Sequence, residues 1–71
     1  METVDARGLS CPQPVLMTVD ALKKTSADRM LVLVDTAASK ENVSRAVSSN
    51  GWTVADITPE GETYRIEIHK G

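Results

Sequence analysis

The hydrophobic and polar positions along the chain predict short strands and helices in alternation. Residues Thr3 to Ala6 are compatible with a brief strand, and the continuously apolar segment from Met30 to Val34 is typical of a central strand. Between them, from Pro12 to about Lys24, apolar positions recur at the spacing of an amphipathic helix: Val15, Leu16, Val19 and Leu22.

The ends of this first helix carry the residues that helix ends favour. Pro12 fits the first helical position, and Pro14 still lies in the first turn, where a missing N–H costs nothing. Lys23 and Lys24 fall in the last turn, where cations interact favourably with the helix dipole.

A second helix is predicted after a turn at Asp35 to Ala38. Ser39 is the expected N-cap, and Glu41 then lies in the first turn. This helix runs to about Asn50 and ends at Gly51, which suits the left-handed position that follows many helices. One side of it is apolar, with Val43, Ala46 and Val47.

The remaining residues predict a hairpin. Trp52 to Thr58 is the third strand, although its apolar Val54 and Ala55 are adjacent and leave the inward face undecided. The turn is expected at Pro59 to Gly61. In the last strand, Thr63 to His69, one face is apolar and the other polar, the apolar residues being Tyr64, Ile66 and Ile68.

The predicted order is therefore βαβαββ within one domain, residues 1–71, either a complete protein or part of a longer chain. Right-handed crossovers place both helices on the same face of one sheet. We expect an α+β fold, a two-layer α/β sandwich whose four-stranded sheet is mixed because its last two strands form a hairpin. The other face of the sheet has no covering layer.

The amino-acid composition excludes several kinds of site and partner. The chain has one Cys and one His among 71 residues, which excludes an internal disulfide and a four-ligand zinc site, and we expect no metal and no cofactor. A formal net charge of −2, with Trp52 and Tyr64 as the only aromatic residues, argues against direct binding to nucleic acid. We expect no membrane insertion and, from the lone cysteine, a cytoplasmic location.

The lone cysteine lies where the first helix is expected to begin. If Pro12 is the first helical residue, Cys11 is the N-cap, and the free N–H groups and the helix dipole favour its thiolate. Arg7 can add a positive charge nearby, Gly8 allows a tight loop, and Asp5 can accept backbone N–H bonds. The alternative is that Cys11 is a buried, inert small hydrophobe.

Two common uses of a reactive cysteine do not fit. A Cys-x-x-Cys redox cycle needs a second cysteine, and residues Gln13 and Pro14 follow instead. A cysteine protease needs a histidine base, and His69 at the far end of the chain is the single candidate. What remains is a thiolate that accepts a group and passes it on.

The segment Arg7-Gly8-Leu9-Ser10-Cys11-Pro12-Gln13-Pro14-Val15-Leu16 resembles the signature of the TusA/SirA/YedF family, whose core is Cys-Pro-x-Pro. The resemblance extends over essentially the whole chain and implies a βαβαββ sandwich. It further implies that Cys11 receives sulfur as a persulfide from a desulfurase or rhodanese type of donor and relays it to an acceptor carrier or enzyme, a sulfurtransferase-type activity. The protein is expected to be a monomer or a weak dimer.

Within that family, two segments resemble the YedF-like members linked to selenium metabolism, Val34-Asp35-Thr36 and Lys40-Glu41-Asn42-Val43-Ser44-Arg45. The Asp-Asp-Pro that often follows the second strand of TusA itself is replaced by Asp35-Thr36-Ala37. Four functions stay open: a sulfur carrier, a selenium-related carrier that uses the same thiol, a non-catalytic interaction or regulatory module, and a structural role in which Cys11 is buried and inert.

Overall fold

The structure is a computed structural model that describes residues 2–9 and 13–71. These residues form two helices and four strands in the order βαβαββ, as predicted. The elements are β1 (Glu2–Asp5), α1 (Gln13–Lys24), β2 (Arg29–Val34), α2 (Ala37–Ser49), β3 (Trp52–Glu60) and β4 (Thr63–Lys70).

The strands form a single mixed sheet in the order β1-β2-β4-β3. β1 is parallel to β2, whereas β4 is antiparallel to both β2 and β3. Both helices cover the same face, and their buried residues share one core with the inward residues of the strands. The predicted two-layer α/β sandwich is therefore confirmed.

The core lies between the sheet and the two helices. Its fully or almost fully buried apolar residues alternate along β2 and β4, as a strand with one covered face requires: Met30, Val32, Val34, Ile66 and Ile68. Val43 and Val47, one helical turn apart on α2, are likewise inaccessible to solvent and confirm the predicted inward side of that helix.

The inward face of α1 is only partly as predicted. Leu22 is buried and Val15 packs against the core, but Leu16, another of the predicted apolar positions, is 58% exposed. Pro14 and Thr18 are buried as well. The reason is that the Thr18 hydroxyl donates a hydrogen bond of 2.8 Å to the Pro14 carbonyl. With its polar group satisfied inside the helix, Thr18 can occupy a core position that hydrophobicity alone would not assign to it.

The start of α2 also corrects a prediction. The N-cap is Thr36, whose side-chain oxygen accepts a hydrogen bond of 3.0 Å from the Ser39 amide, and Ser39 itself is a buried residue of the first turn. Because the helix starts earlier than expected, Glu41 lies beyond the first turn, which contains no acidic residue. Both Thr36 and Ser39 are good N-cap types, so residue preference does not distinguish them.

The end of α2 is as predicted. Asn50 is the C-cap, and its backbone N–H donates a hydrogen bond of 3.1 Å to the Val47 carbonyl. Gly51 follows with a φ of 82°, in the left-handed region expected at this position.

A β-bulge explains the irregular pattern of β3. Val54 pairs with Ile68 and Asp56 pairs with Glu67, so Ala55 is an extra residue without a direct partner. Beyond the bulge Ile57 pairs with Ile66, which places Val54 and Ile57 on the same side of the sheet although they are three residues apart.

The hairpin turn lies later than predicted. Pro59 and Glu60 belong to β3 and pair with Tyr64 and Thr63, so the turn consists of Gly61 and Glu62. β3 is an edge strand, where a proline without an N–H is tolerated. Within residues 2–9 and 13–71, neither helix is long and apolar enough to cross a membrane.

Candidate functional site

The candidate site lies at one edge of the sheet, where the parallel strands β1 and β2 both end. In parallel sheets the loops that follow the carboxyl ends of the strands meet at this edge. The ladder continues one residue past β1, because the Ala6 amide donates to the Leu33 carbonyl at 2.9 Å. Ala6 is completely buried, so the loop that leads toward Cys11 leaves the sheet from a fixed point.

Asp5 and Arg7 form a two-pronged ion pair at the start of this loop. The Arg7 Nε and Nη2 atoms donate to the two carboxylate oxygens of Asp5 at 2.9 and 2.8 Å. The Arg7 amide also donates to Asp5 Oδ1 at 3.2 Å, the kind of backbone bond expected of Asp5 from the sequence. Both side chains remain about half exposed.

This pairing changes the protonation of both groups. The side-chain hydrogen bonds from Arg7, followed by the bond from its amide, lower the pKa of Asp5 from 3.8 to about 2. The hydrogen bond to Asp5 in turn raises the pKa of Arg7, and the charges of Asp5 and Asp35 add to that rise. The positive charge of Arg7 is therefore largely compensated by Asp5 rather than free to act on a nearby thiolate.

Gly8 is held by a residue far away in the sequence. Its amide donates a hydrogen bond of 2.8 Å to Asp35 Oδ2, directly after β2 and 27 residues further along the chain. Gly8 has a φ of 76°, in the region that favours glycine. The sequence pattern predicts Asp35 only as part of a turn, although its position directly after the strand that neighbours β1 is a signal for the same sheet edge.

The segment that contains the cysteine lies between two attached residues. Leu9 packs against the core on one side, and Pro14, in the first turn of α1, is fully buried on the other. Cys11 and Pro12, together with Ser10, lie outside the described residues. Of the predicted site residues, Asp5 and Arg7 pair with each other, Gly8 is bonded to Asp35, and Pro14 is buried in the first turn of α1.

A shallow groove continues along the same edge. It has a volume of about 350 Å³, and its lining comes from the start of α2 and the β3–β4 turn: Asp35, Thr36, Ala37, Gly61, Glu62 and Tyr64. Tyr64 reaches this edge because it pairs with Val34, the last residue of β2. The Lys40 Nζ atom lies 5.0 Å from the centre of the Tyr64 ring, within cation–π range.

The family model described as sulfurtransferase TusA matches residues 2–70. The chain belongs to the TusA family. Among its relatives, the "Putative sulfur carrier protein YedF" of Escherichia coli is 32% identical over 68 residues, 94% of this chain and 88% of that protein. The "Putative sulfur carrier protein YrkI" of Bacillus subtilis is 31% identical over 71 residues, 99% of this chain and 95% of that protein.

An archaeal relative is similar over the same length. It comes from Methanocaldococcus jannaschii, is also named a "Putative sulfur carrier protein", and is 35% identical over 71 residues. That match covers 99% of this chain and 95% of the archaeal protein. The crystal structure of a SirA-like protein from Desulfitobacterium hafniense superposes with a TM-score of 0.86 at 27% identity, covering 100% of this chain and 99% of that one. The family and the fold implied by the Cys-Pro-x-Pro segment are both confirmed.

Proposed function

We propose that this protein is a sulfur carrier that accepts sulfur as a persulfide on Cys11 and relays it to an acceptor protein. The observation that carries the proposal is the Cys11-Pro12-Gln13-Pro14 segment, whose last two residues begin α1, in a chain of the TusA family. Three relatives that match nearly the whole chain are named as sulfur carriers.

The transfer needs one nucleophilic sulfur and no external oxidant. The Cys11 thiolate attacks the outer sulfur of a donor persulfide, the donor S–S bond breaks, and the donor cysteine leaves as a thiolate. Cys11 then holds the persulfide. In the second step an acceptor thiolate attacks that outer sulfur and Cys11 leaves as a thiolate, so sulfur moves without net oxidation or reduction.

The start of α1 supports an anion at the segment before it. The first turn of the helix contains no acidic residue, and Lys23 and Lys24 occupy the last turn. The positive end of the helix dipole is therefore not offset by a carboxylate of the same turn, and it favours a thiolate or a persulfide anion at the segment 10–12.

A donor and an acceptor must both reach Cys11, and α1 offers an apolar surface close to it in the sequence. Leu16 is 58% exposed and Met17 is 39% exposed. These two neighbouring residues are the proposed contact surface for a partner protein. The proposed donor is a desulfurase or rhodanese type of protein, and the proposed compartment is the cytoplasm, whose reducing conditions keep a lone cysteine as a free thiol.

The test is the intact mass of the protein after incubation with a cysteine desulfurase and cysteine. We expect the wild-type chain to gain one sulfur atom that a reductant removes. Cys11→Ser should gain none, because a hydroxyl cannot form a persulfide, while its circular dichroism spectrum stays that of the wild type. A serine variant that still takes up sulfur would refute the proposal.

A non-catalytic interaction module is the second candidate, favoured by the exposed Leu16 and Met17. It predicts that binding to the desulfurase is unchanged in Cys11→Ser and that the wild type gains no sulfur. Repeating the loading with a selenium donor tests the selenium-related role; a preference for selenium over sulfur would favour that role.

A further inference from the structure

We infer that Asp35 is a positioning residue for the Cys11 segment, acting through the backbone of Gly8. The inference rests on the proposed use of Cys11 in group transfer, and it adds a residue that the Cys-Pro-x-Pro segment does not contain. Asp35 follows β2 and touches the loop only because β1 and β2 are parallel neighbours.

The loop after β1 is attached at three successive places. The Ala6 amide is bonded to β2, the Gly8 amide is bonded to Asp35 Oδ2 at 2.8 Å, and the Leu9 side chain packs against the core. Of these attachments, the Gly8 bond is the one made by a polar side chain, and Asp35 is not part of the hydrophobic core. It can therefore be removed without opening the core.

The Gly8 bond also fixes a backbone conformation that is not otherwise favoured over its alternatives. With a φ of 76°, Gly8 can relax to negative φ values at little cost, since glycine populates both. Such a change would redirect the chain three residues before Cys11. The carboxylate of Asp35 opposes it by accepting the Gly8 amide in the observed geometry.

The Asp5–Arg7 pair does not replace this role. Its hydrogen bonds span two residues and join the end of β1 to the loop, upstream of Gly8. Asp35 joins the loop to a different strand, and it also lies close enough to add to the stabilisation of the Arg7 charge. The orientation of the chain that enters the cysteine segment therefore depends on Asp35.

The test compares Asp35→Ala and Asp35→Asn with Asp56→Ala. Asp56 is a matched control, because it is an exposed aspartate whose carboxylate accepts a local hydrogen bond from Thr58 at 3.1 Å on β3. Asp35→Asn keeps an oxygen that can accept the Gly8 amide but removes the charge. The readouts are amide hydrogen exchange at Gly8, the pH profile of Cys11 alkylation by iodoacetamide, and the rate of sulfur loading.

In Asp35→Ala we expect amide hydrogen exchange at Gly8 to become about tenfold faster, because the variant loses the net stabilisation of one hydrogen bond. In the same variant the pH midpoint of Cys11 alkylation should shift and sulfur loading should become slower. Asp35→Asn and Asp56→Ala should match the wild type in Gly8 exchange, Cys11 alkylation and sulfur loading. If Asp35→Ala matches Asp56→Ala in exchange and alkylation, the inference is wrong. If Asp35→Asn changes Gly8 exchange and Cys11 alkylation as much as Asp35→Ala does, the effect of Asp35 does not come from its hydrogen bond to the Gly8 amide.

The outcome separates this inference from the proposed function. Alkylation and exchange do not require any sulfur donor, so a wild type that takes up no sulfur, with a shifted alkylation profile in Asp35→Ala, would refute the sulfur carrier and support the positioning role. A wild type that loads normally, with Asp35→Ala loading at the same rate and alkylating identically, would refute the positioning role alone.

Discussion

Arg7 illustrates how a neighbouring side chain decides what a charged residue can do. From its position four residues before Cys11, Arg7 is predicted to add a positive charge near the thiol. In the structure both prongs of the guanidinium are bonded to Asp5 at 2.9 and 2.8 Å. The pair shapes the start of the loop, and the helix dipole of α1 is left as the better candidate for stabilising an anion.

The Asp5–Arg7 pair predicts an acid transition. The folded-state pKa of Asp5 is about 2, below the ordinary 3.8, so the carboxylate stabilises the fold above pH 3.8 and that contribution is lost as the pH falls through about 2. A carbon-13 NMR titration of the Asp5 carboxyl should have its midpoint near 2, and Arg7→Gln should return it toward 3.8. An Asp5 midpoint near 3.8 in the wild type would contradict the pairing.

One continuous sequence segment indicated five of the predicted site residues, and Asp5 lies just before that segment. Residue spacing could not indicate Asp35. Arg7, Gly8 and Pro14 are all within four residues of Cys11, so a single motif names them. Asp35 joins Gly8 across 27 residues, and that contact exists because two strands pair in parallel. Hydrophobic periodicity carries no information on which turn residue meets which loop.

Helix ends were predicted unequally well. The end of α2 was correct because Gly51 has a conformational property that few residues share. The predicted start of α2 was wrong because Thr36 and Ser39 are both acceptable N-cap residues. The choice between them depends on which of the two side chains is buried in the folded protein. Ser39 is only 4% exposed and lies within the first turn of α2, on the side that packs against the core, rather than at the N-cap.

The N-cap assignment is testable with two conservative variants. Thr36→Ala removes the oxygen that accepts the Ser39 amide at 3.0 Å, and we expect it to lower the free energy of unfolding by about 1 kcal/mol. Thr36→Ser keeps the oxygen and should stay close to the wild type. Chemical denaturation measures both, and equal stability of the two variants would show that Thr36 does not cap the helix.

Over the whole molecule, stability rests on one thin core between two helices and one face of the sheet. Eleven apolar residues are buried among those that the structure describes, and the opposite face of the sheet carries the polar residues of β4. A chain of 71 residues has roughly 4–10 kcal/mol of stability at the typical value per residue. Loss of even one methylene from this core should therefore be measurable.

Ile66 and Ile57 provide a matched pair for this expectation. They are direct cross-strand partners, but Ile66 is fully buried whereas Ile57 is 36% exposed. We expect Ile66→Val to cost about 0.5–1.5 kcal/mol, and Ile57→Val to cost less than about 0.5 kcal/mol. Urea denaturation of the two variants measures the difference; equal costs would mean that burial is not what distinguishes the two positions.

The sequence by itself determined the order of elements, the inward faces of α2 and β4, the end of α2 and the family, because each depends on residue types within a few positions of one another. Only the tertiary structure decided the rotation of α1, the bulge at Ala55 and the bond from Gly8 to Asp35. These depend on which surfaces meet. A buried Thr18, an extra residue in a ladder and a carboxylate beside a distant amide are favourable only once their partners are in place.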